Sequence, residues 1–200
     1  MQKSLVIILI SLAFLFSCKK EDKIEYSERY LPELKKFFAE DTISGSFVLL
    51  DMNTETFIYL DKVACELRSE PGETFDIPHS IFALESGIVV NPDDTLKWND
   101  EVRLFEKKKK KSTMRQAIDS NEIWFFREIA KRINVDTMKI YLDTLKMYGT
   151  MNRSGDIDRF WYDGSLKISQ LEQIEFLKQL KNKKLGFSEK NQNIAISLMD

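Results

Sequence analysis

Residues 71–87, PGETFDIPHSIFALESG, constrain the fold of this chain more than any other stretch. Pro71-Gly72 is tight-turn chemistry, and the apolar run behind it reads as a helix. Two acids open that helix, Glu73 and Asp76. Standing three residues apart they share one face and repel each other, which favours protonation of one of them. So apolar a helix needs a core around it. The 200 residues, 43% hydrophobic and 31% charged, are enough for one compact domain and carry no compositional sign of disorder. Acids and bases nearly cancel, and a formal net charge of -2 gives no whole-protein attraction to nucleic acid.

The N-terminus is of another kind. Met1-Gln2-Lys3 is a short basic start, residues 4–16 are an almost wholly apolar run, and Ser17-Cys18-Lys19-Lys20 follows. Such a run is too short for a hydrocarbon layer of ~30 Å and suits a secretory signal. Residues 15–18, LFSC, resemble the bacterial lipobox, in which cleavage precedes the cysteine and the cysteine is acylated. The expected organisation is a lipoprotein signal peptide at 1–17, a charged tether at 18–29 beginning at the lipid-bearing Cys18, and one domain at 30–200. The only other cysteine, Cys65, is expected to be small and buried, and with Cys18 acylated no intrachain disulfide can form. The lone His79 rules out a multi-histidine zinc site, and seven scattered glycines leave no Gly-rich phosphate loop. No metal or cofactor is expected. The lysine run 107–111 reads as a solvated loop face.

Residues 27–40 (SERYLPELKKFFAE) read as an amphipathic helix capped by Ser27. Residues 45–51 and 56–60 are apolar runs around Met52-Asn53-Thr54-Glu55, a hairpin signal. From Thr113 on the pattern is helical. Residues 122–133 and 136–147 repeat apolar side chains at three-and-four spacing, Ser169-x-x-Glu172 is a capping box, and one more helix begins at Ser188. The fold class expected is α+β, an N-terminal antiparallel hairpin followed by a mostly helical body.

Several segments then fall in the order of one family. GSFVLLD at 45–51 looks like a first strand, PGETFDIP at 71–78 resembles a Pro-Ala-Ser-Thr-Phe-Lys-Ile-Pro nucleophile segment, and ALESG at 83–87 follows it. LKW at 96–98, TMRQA at 113–117, YGT at 148–150 and FWYDGSLKIS at 160–169 continue the series. The chain resembles the class D β-lactamases, members of the serine penicillin-recognising fold shared with penicillin-binding transpeptidases. The likeness covers nearly the whole of the expected mature chain and implies the β-lactamase/transpeptidase-like fold.

What the resemblance implies for chemistry is where this chain departs. The family needs Ser-x-x-Lys at the start of a buried helix, the lysine (carbamylated in class D) taking the proton of the serine. Here the serine position is Glu73 and the lysine position is Asp76. Ser-x-Val falls on Asn121-Glu122-Ile123, an amide in place of the relay hydroxyl. Lys-Thr/Ser-Gly should follow the helix that starts near Ser188, and the sequence ends at Asp200 without it, so the C-terminal strands of the sheet are expected to be missing. Arg153-Ser154-Gly155 imitates that motif in a loop, where Ser-Gly is ordinary turn chemistry. Tyr148, Gly149 and Trp161 mark what remains of the pocket, with Trp161 packing rather than shielding a modified lysine. Glu73 and Asp76 read as first-turn acids, favoured near a helix N-terminus by about 0.3–1 kcal/mol, rather than as ligands with Glu122 for a divalent cation.

Loss of nucleophile and base together removes several orders of magnitude from a serine hydrolase. The reading that follows is a catalytically inactive lipoprotein of this family, held to a membrane of the bacterial cell envelope through Cys18 and facing the periplasm. It would bind cell-wall peptide, a β-lactam or a protein partner non-covalently, and no nucleic acid. Residual hydrolase or transpeptidase chemistry at Glu73, and a non-functional fragment of a disrupted β-lactamase gene, stand as alternatives. The lipobox reading predicts that Cys18→Ser abolishes incorporation of labelled fatty acid and moves the chain from the membrane to the soluble fraction. A labelled, membrane-retained variant would overturn it.

Overall fold

The computed structural model describes residues 25–39, 44–97, 111–148 and 156–199. Residues 1–17, Cys18, the tether as far as residue 24, Lys107 to Lys110, Gly149 and Arg153-Ser154-Gly155 lie outside the described residues.

A three-stranded sheet is made by β1 (Ser27–Tyr30), β2 (Val48–Asp51) and β3 (Thr56–Tyr59), in the order β1-β3-β2. The hairpin is present where the sequence put it: β2 and β3 pair antiparallel, Val48 opposite Tyr59 and Asp51 opposite Thr56. Its turn is fixed by the Asp51 carboxylate, whose Oδ1 accepts from the Asn53 N–H at 2.9 Å and the Thr54 N–H at 3.3 Å.

The helix expected over 27–40 is corrected. Ser27–Tyr30 is a strand parallel to β3, and Ser27 caps nothing; its Oγ lies 2.7 Å from Thr56 Oγ1. Glu28 and Arg29, assigned above to the tether, pair in the same sheet. Helix resumes only at a 3₁₀ turn, Pro32–Leu34, and in a short α1 (Lys35–Ala39). Pro32 has no N–H to offer and would clash with a preceding helical turn, while β3 presents a free row of backbone partners to the residues before it. Among the described residues β2 has no neighbour on its outer side, and Leu49 beside that edge is 44% exposed.

The body is helical as expected: α2 (Lys62–Glu66), α3 (Asp76–Glu85), α4 (Met114–Asp119), α5 (Ile123–Ile133), α6 (Val135–Leu145), α7 (Gln170–Lys181) and α8 (Glu189–Ser197). A short antiparallel pair, β4 (Thr95–Lys97) with β5 (Lys111–Thr113), precedes α4. Thr113 with Gln116 and Ser169 with Glu172 are complete capping boxes, and Ser188 caps α8 through the Asn191 N–H. Cys65 is buried, its Sγ 3.5 Å from the Phe47 carbonyl.

Helix α3 is the axis of this body. Every residue from Pro78 to Leu84 is buried, with α5 and α8 packed against it. Phe75, Phe82, Phe125, Phe126, Phe160 and Trp161 are fully enclosed around it. His79 sits among these rings, edge-on to Phe75 and to Trp161 at 4.5 Å between centroids and stacked on Phe126 at 6.0 Å.

The segment 156–168 is tied to the approach to α3. Ser69 and Ile168 exchange both backbone hydrogen bonds, at 3.0 and 2.9 Å, and the Gly72 N–H donates to the Trp161 carbonyl at 3.1 Å. Gly72 holds φ at +55°, the left-handed region where a side chain is strained. At the other end Arg127 of α5 donates from Nε to the Asp158 carbonyl at 3.1 Å and from a terminal guanidinium nitrogen to the nearly buried Asp158 carboxylate at 3.3 Å. Truncating one partner of such a pair leaves the other charge buried. Asp158→Ala is therefore expected to lower stability in urea by about 3–5 kcal/mol, well beyond the roughly 1 kcal/mol of the cap deletion Ser169→Ala.

Candidate functional site

Two acids stand where the turn meets α3. Glu73 lies on the 3₁₀ turn Gly72–Phe75, which runs without a break into α3, and Asp76 is the first residue of that helix. Glu73 is exposed. Asp76, one step further in, is 7% exposed. Pro71-Gly72 sets the direction of entry and the Thr74 hydroxyl secures it, donating to the Pro71 carbonyl at 2.7 Å.

Asn121 comes to the pair from the far side. It occupies the junction between α4 and α5 with φ at +51°, a left-handed conformation that asparagine tolerates better than most residues. There its side-chain amide donates to the Glu73 carboxylate. The three positions assigned to nucleophile, base and relay from the sequence are thus gathered into one place, carrying an acid, an acid and an amide.

The electrostatics follow from burial. Desolvation, with the Glu73 charge second, pushes the Asp76 carboxyl from 3.8 up to about 8, so at neutral pH it carries its proton. Tyr162, on the segment tied to the turn, has its phenol pushed up to about 12 by burial and by the negative charge of Asp76 and Glu73. Burial alone drives His79 from 6.5 down to about 3, and it is neutral. His79 is fully enclosed without a hydrogen-bond partner, and the Trp161 indole is fully enclosed beside the Tyr162 ring. No lysine or arginine among the described residues forms an ion pair with Glu73 or Asp76.

The remaining expected residues are placed differently. Tyr148 is buried, its ring edge-on to Phe75 at 5.2 Å and its hydroxyl 3.3 Å from Gln173 Oε1. Trp161 packs against Phe75 and His79, as the sequence suggested. Gly149 lies outside the described residues. Glu122 is nearly buried behind Asn121. Among the described residues no group of three His, Cys, Asp or Glu side chains could hold a metal ion, and no helix is long and apolar enough to cross a membrane. Tyr162 belongs to the site without a motif of its own; its place next to Trp161 in the FWYDGSLKIS block is the signal the sequence carries for it.

The two shifted groups predict a pH profile. The stability that Asp76 contributes is complete below 3.8 and lost as pH rises to about 8. That from His79 is complete above 6.5 and lost as pH falls toward about 3. Between 3.8 and 6.5 the opposite slopes cancel, leaving a plateau from this pair. Asp76→Asn is expected to abolish the decline on the alkaline side and to raise stability near pH 8 by on the order of 5 kcal/mol. Urea titrations across the pH range measure this; a variant with an unchanged alkaline limb would contradict the burial of the carboxyl.

Comparison with known proteins agrees with this fold. Residues 25–199 match the family described as the penicillin binding protein transpeptidase domain. The chain is 34% identical over 160 residues to β-lactamase OXA-10 of Pseudomonas aeruginosa, covering 80% of this chain and 60% of that protein. Among solved structures, a class D β-lactamase from Sebaldella termitidis superposes with a TM-score of 0.79 at 31% identity, covering 88% of this chain and 70% of that one. The class D β-lactamase FUS-1 from Fusobacterium nucleatum subsp. polymorphum gives 0.77 at 29% identity, with 85% and 70% covered. The chain spans about 60% of the length of the curated relatives it matches. It belongs to the penicillin-binding protein transpeptidase-domain family and resembles its class D β-lactamase members.

Proposed function

We propose that this chain is a catalytically silent member of its family, a lipoprotein of the bacterial cell envelope that binds cell-wall peptide non-covalently. The observation that carries the reading is the pair at the start of α3. The position that would hold a serine hydroxyl holds the Glu73 carboxylate, and the position of its lysine base holds Asp76, nearly buried and protonated at neutral pH. A carboxylic acid that keeps its own proton cannot accept one from a neighbouring nucleophile. The relay position offers an amide that already donates to Glu73. The framework that presents these residues, a turn locked to the Trp161 segment and a helix enclosed in aromatic rings, is that of a rigid recognition site. Location at the envelope rests on the lipobox-like LFSC and on the family.

A second reading has one observation in its favour. A charged carboxylate beside a protonated one is how acid and base are divided in hydrolases that use carboxylate pairs. Against it, Asp76 is so enclosed that it has almost no access to a substrate.

The discriminating measurement is the intact mass of the chain before and after incubation with a penicillin. The expected result is no covalent adduct and no loss of the drug, together with measurable binding of purified muropeptides. A stoichiometric adduct would overturn catalytic silence. Turnover that vanished in Glu73→Gln would establish the second reading.

A further inference from the structure

A short leash joins Cys18 to the first strand. Eight residue steps lead from Cys18 to Tyr26, and fully extended they reach at most about 28 Å. A domain of this size is about 40 Å across, so the leash is shorter than the body it holds. Its far end is pinned. The Tyr26 ring stands edge-on to Phe57 at 5.2 Å, Lys178 Nζ lies 5.4 Å from the centre of the same ring, and the Ser27 N–H donates to the Glu55 carbonyl at 3.0 Å. A lipid on Cys18 would therefore hold the β1 side of the domain close to the headgroups.

That side carries exposed apolar side chains. Tyr30, at the end of β1, is 52% exposed. Val63 on α2 and Leu67 just past its end are 71% and 69% exposed, and a spacing of four puts them on one stripe. The two elements are fastened to each other: Lys62 of α2 reaches Glu28 of β1 at 2.5 Å and lies 5.7 Å over the Tyr59 ring, against which Tyr30 packs at 5.7 Å. The Tyr30 phenol, pushed up first by its hydrogen bond to Glu28, also feels the charge of Glu66, which sits between Val63 and Leu67. Tyr30 is four residues along the strand from the pinned Tyr26, about 13 Å.

We infer that Tyr30, Val63 and Leu67 form a docking face that seats on the headgroup layer of the same membrane that holds Cys18. This rests on the lipoprotein reading, since the leash is what selects lipid as the occupant. A patch confined so near the surface meets lipid at a high effective concentration, so a modest apolar area is enough for the tethered chain and too little to hold an untethered one. A tyrosine with a polar tip beside two aliphatic side chains suits the layer between water and hydrocarbon. Net charge does not drive the contact, because residues 18–40 carry six bases and six acids. Phe47 and Leu49, also exposed, lie by β2 at the opposite edge of the sheet and are not part of this face.

Spin labelling of the full chain, reconstituted into vesicles of phosphatidylethanolamine and phosphatidylglycerol, tests this. A nitroxide is placed at Leu67→Cys or, as control, at Ile140→Cys on α6, where the native side chain is exposed to a similar degree. Cys65 is buried and does not take the label. The expected result is that in vesicles the label at 67 loses access to a water-soluble nickel reagent severalfold and gains collisions with oxygen, while the label at 140 keeps its access. Val63→Glu, an exposed substitution that the fold tolerates, should restore access at 67 with the chain still floating with the vesicles. Equal access at 67 and 140, or protection that survives Val63→Glu, overturns the docking face and leaves the lipoprotein reading standing. Dipolar broadening between labels at 67 would assign the face to a second copy of the chain and overturn lipid as its occupant. A parent chain that does not float with the vesicles, or that takes the label at Cys18, would remove the anchor and the docking face together.

Discussion

The enclosure of one helix governs this molecule. From Pro78 to Leu84 every residue of α3 is buried, and its polar residues His79 and Ser80 meet no solvent at all. Aromatic rings are the means: Phe75, Phe82, Phe126, Phe160 and Trp161 surround His79 at edge-on and stacked distances and shut out water. In so dry a place charge is expensive, and the ionisable groups respond by discharging: His79 loses its proton and Asp76 keeps one. The Ser80 hydroxyl is satisfied within the helix itself by donating to the Asp76 carbonyl at 2.8 Å.

That constraint also shapes the site. Three residues of chain carry the site from an exposed acid to a nearly buried one: Glu73 lies on the turn outside the enclosure, Asp76 just within it. The difference is made by the packing of segments distant in sequence, since the Trp161 segment closes one side and the α4–α5 junction the other. Desolvation at the start of α3 holds the Asp76 carboxyl neutral at neutral pH.

Much of this was legible in the sequence wherever the determining contacts are local. The hairpin over 45–60, the Ser169–Glu172 capping box and the turn-to-helix entry at Pro71-Gly72 are each decided within a few residues, and each appears in the structure at its expected place. The order of the family segments identified the fold for the same reason: each block carries its own local signal. The stretch 27–40 failed because its helical periodicity was weighed without its tertiary partner. A parallel strand contacts β3 nearly thirty residues away, and no local pattern reports that edge.

The sequence by itself determined the fold family, the helical body, and the two acids at the entry to the apolar helix. Only the tertiary structure decided that Asn121 reaches Glu73, that Tyr148 belongs to the core, and that of two acids three residues apart Glu73 is exposed while Asp76 is nearly buried and neutral. The physical reason is the range of the interactions. Caps, turns and periodicity act over one or two turns of chain, whereas desolvation depends on every ring that closes over a group, and those rings come from residues 75 to 161.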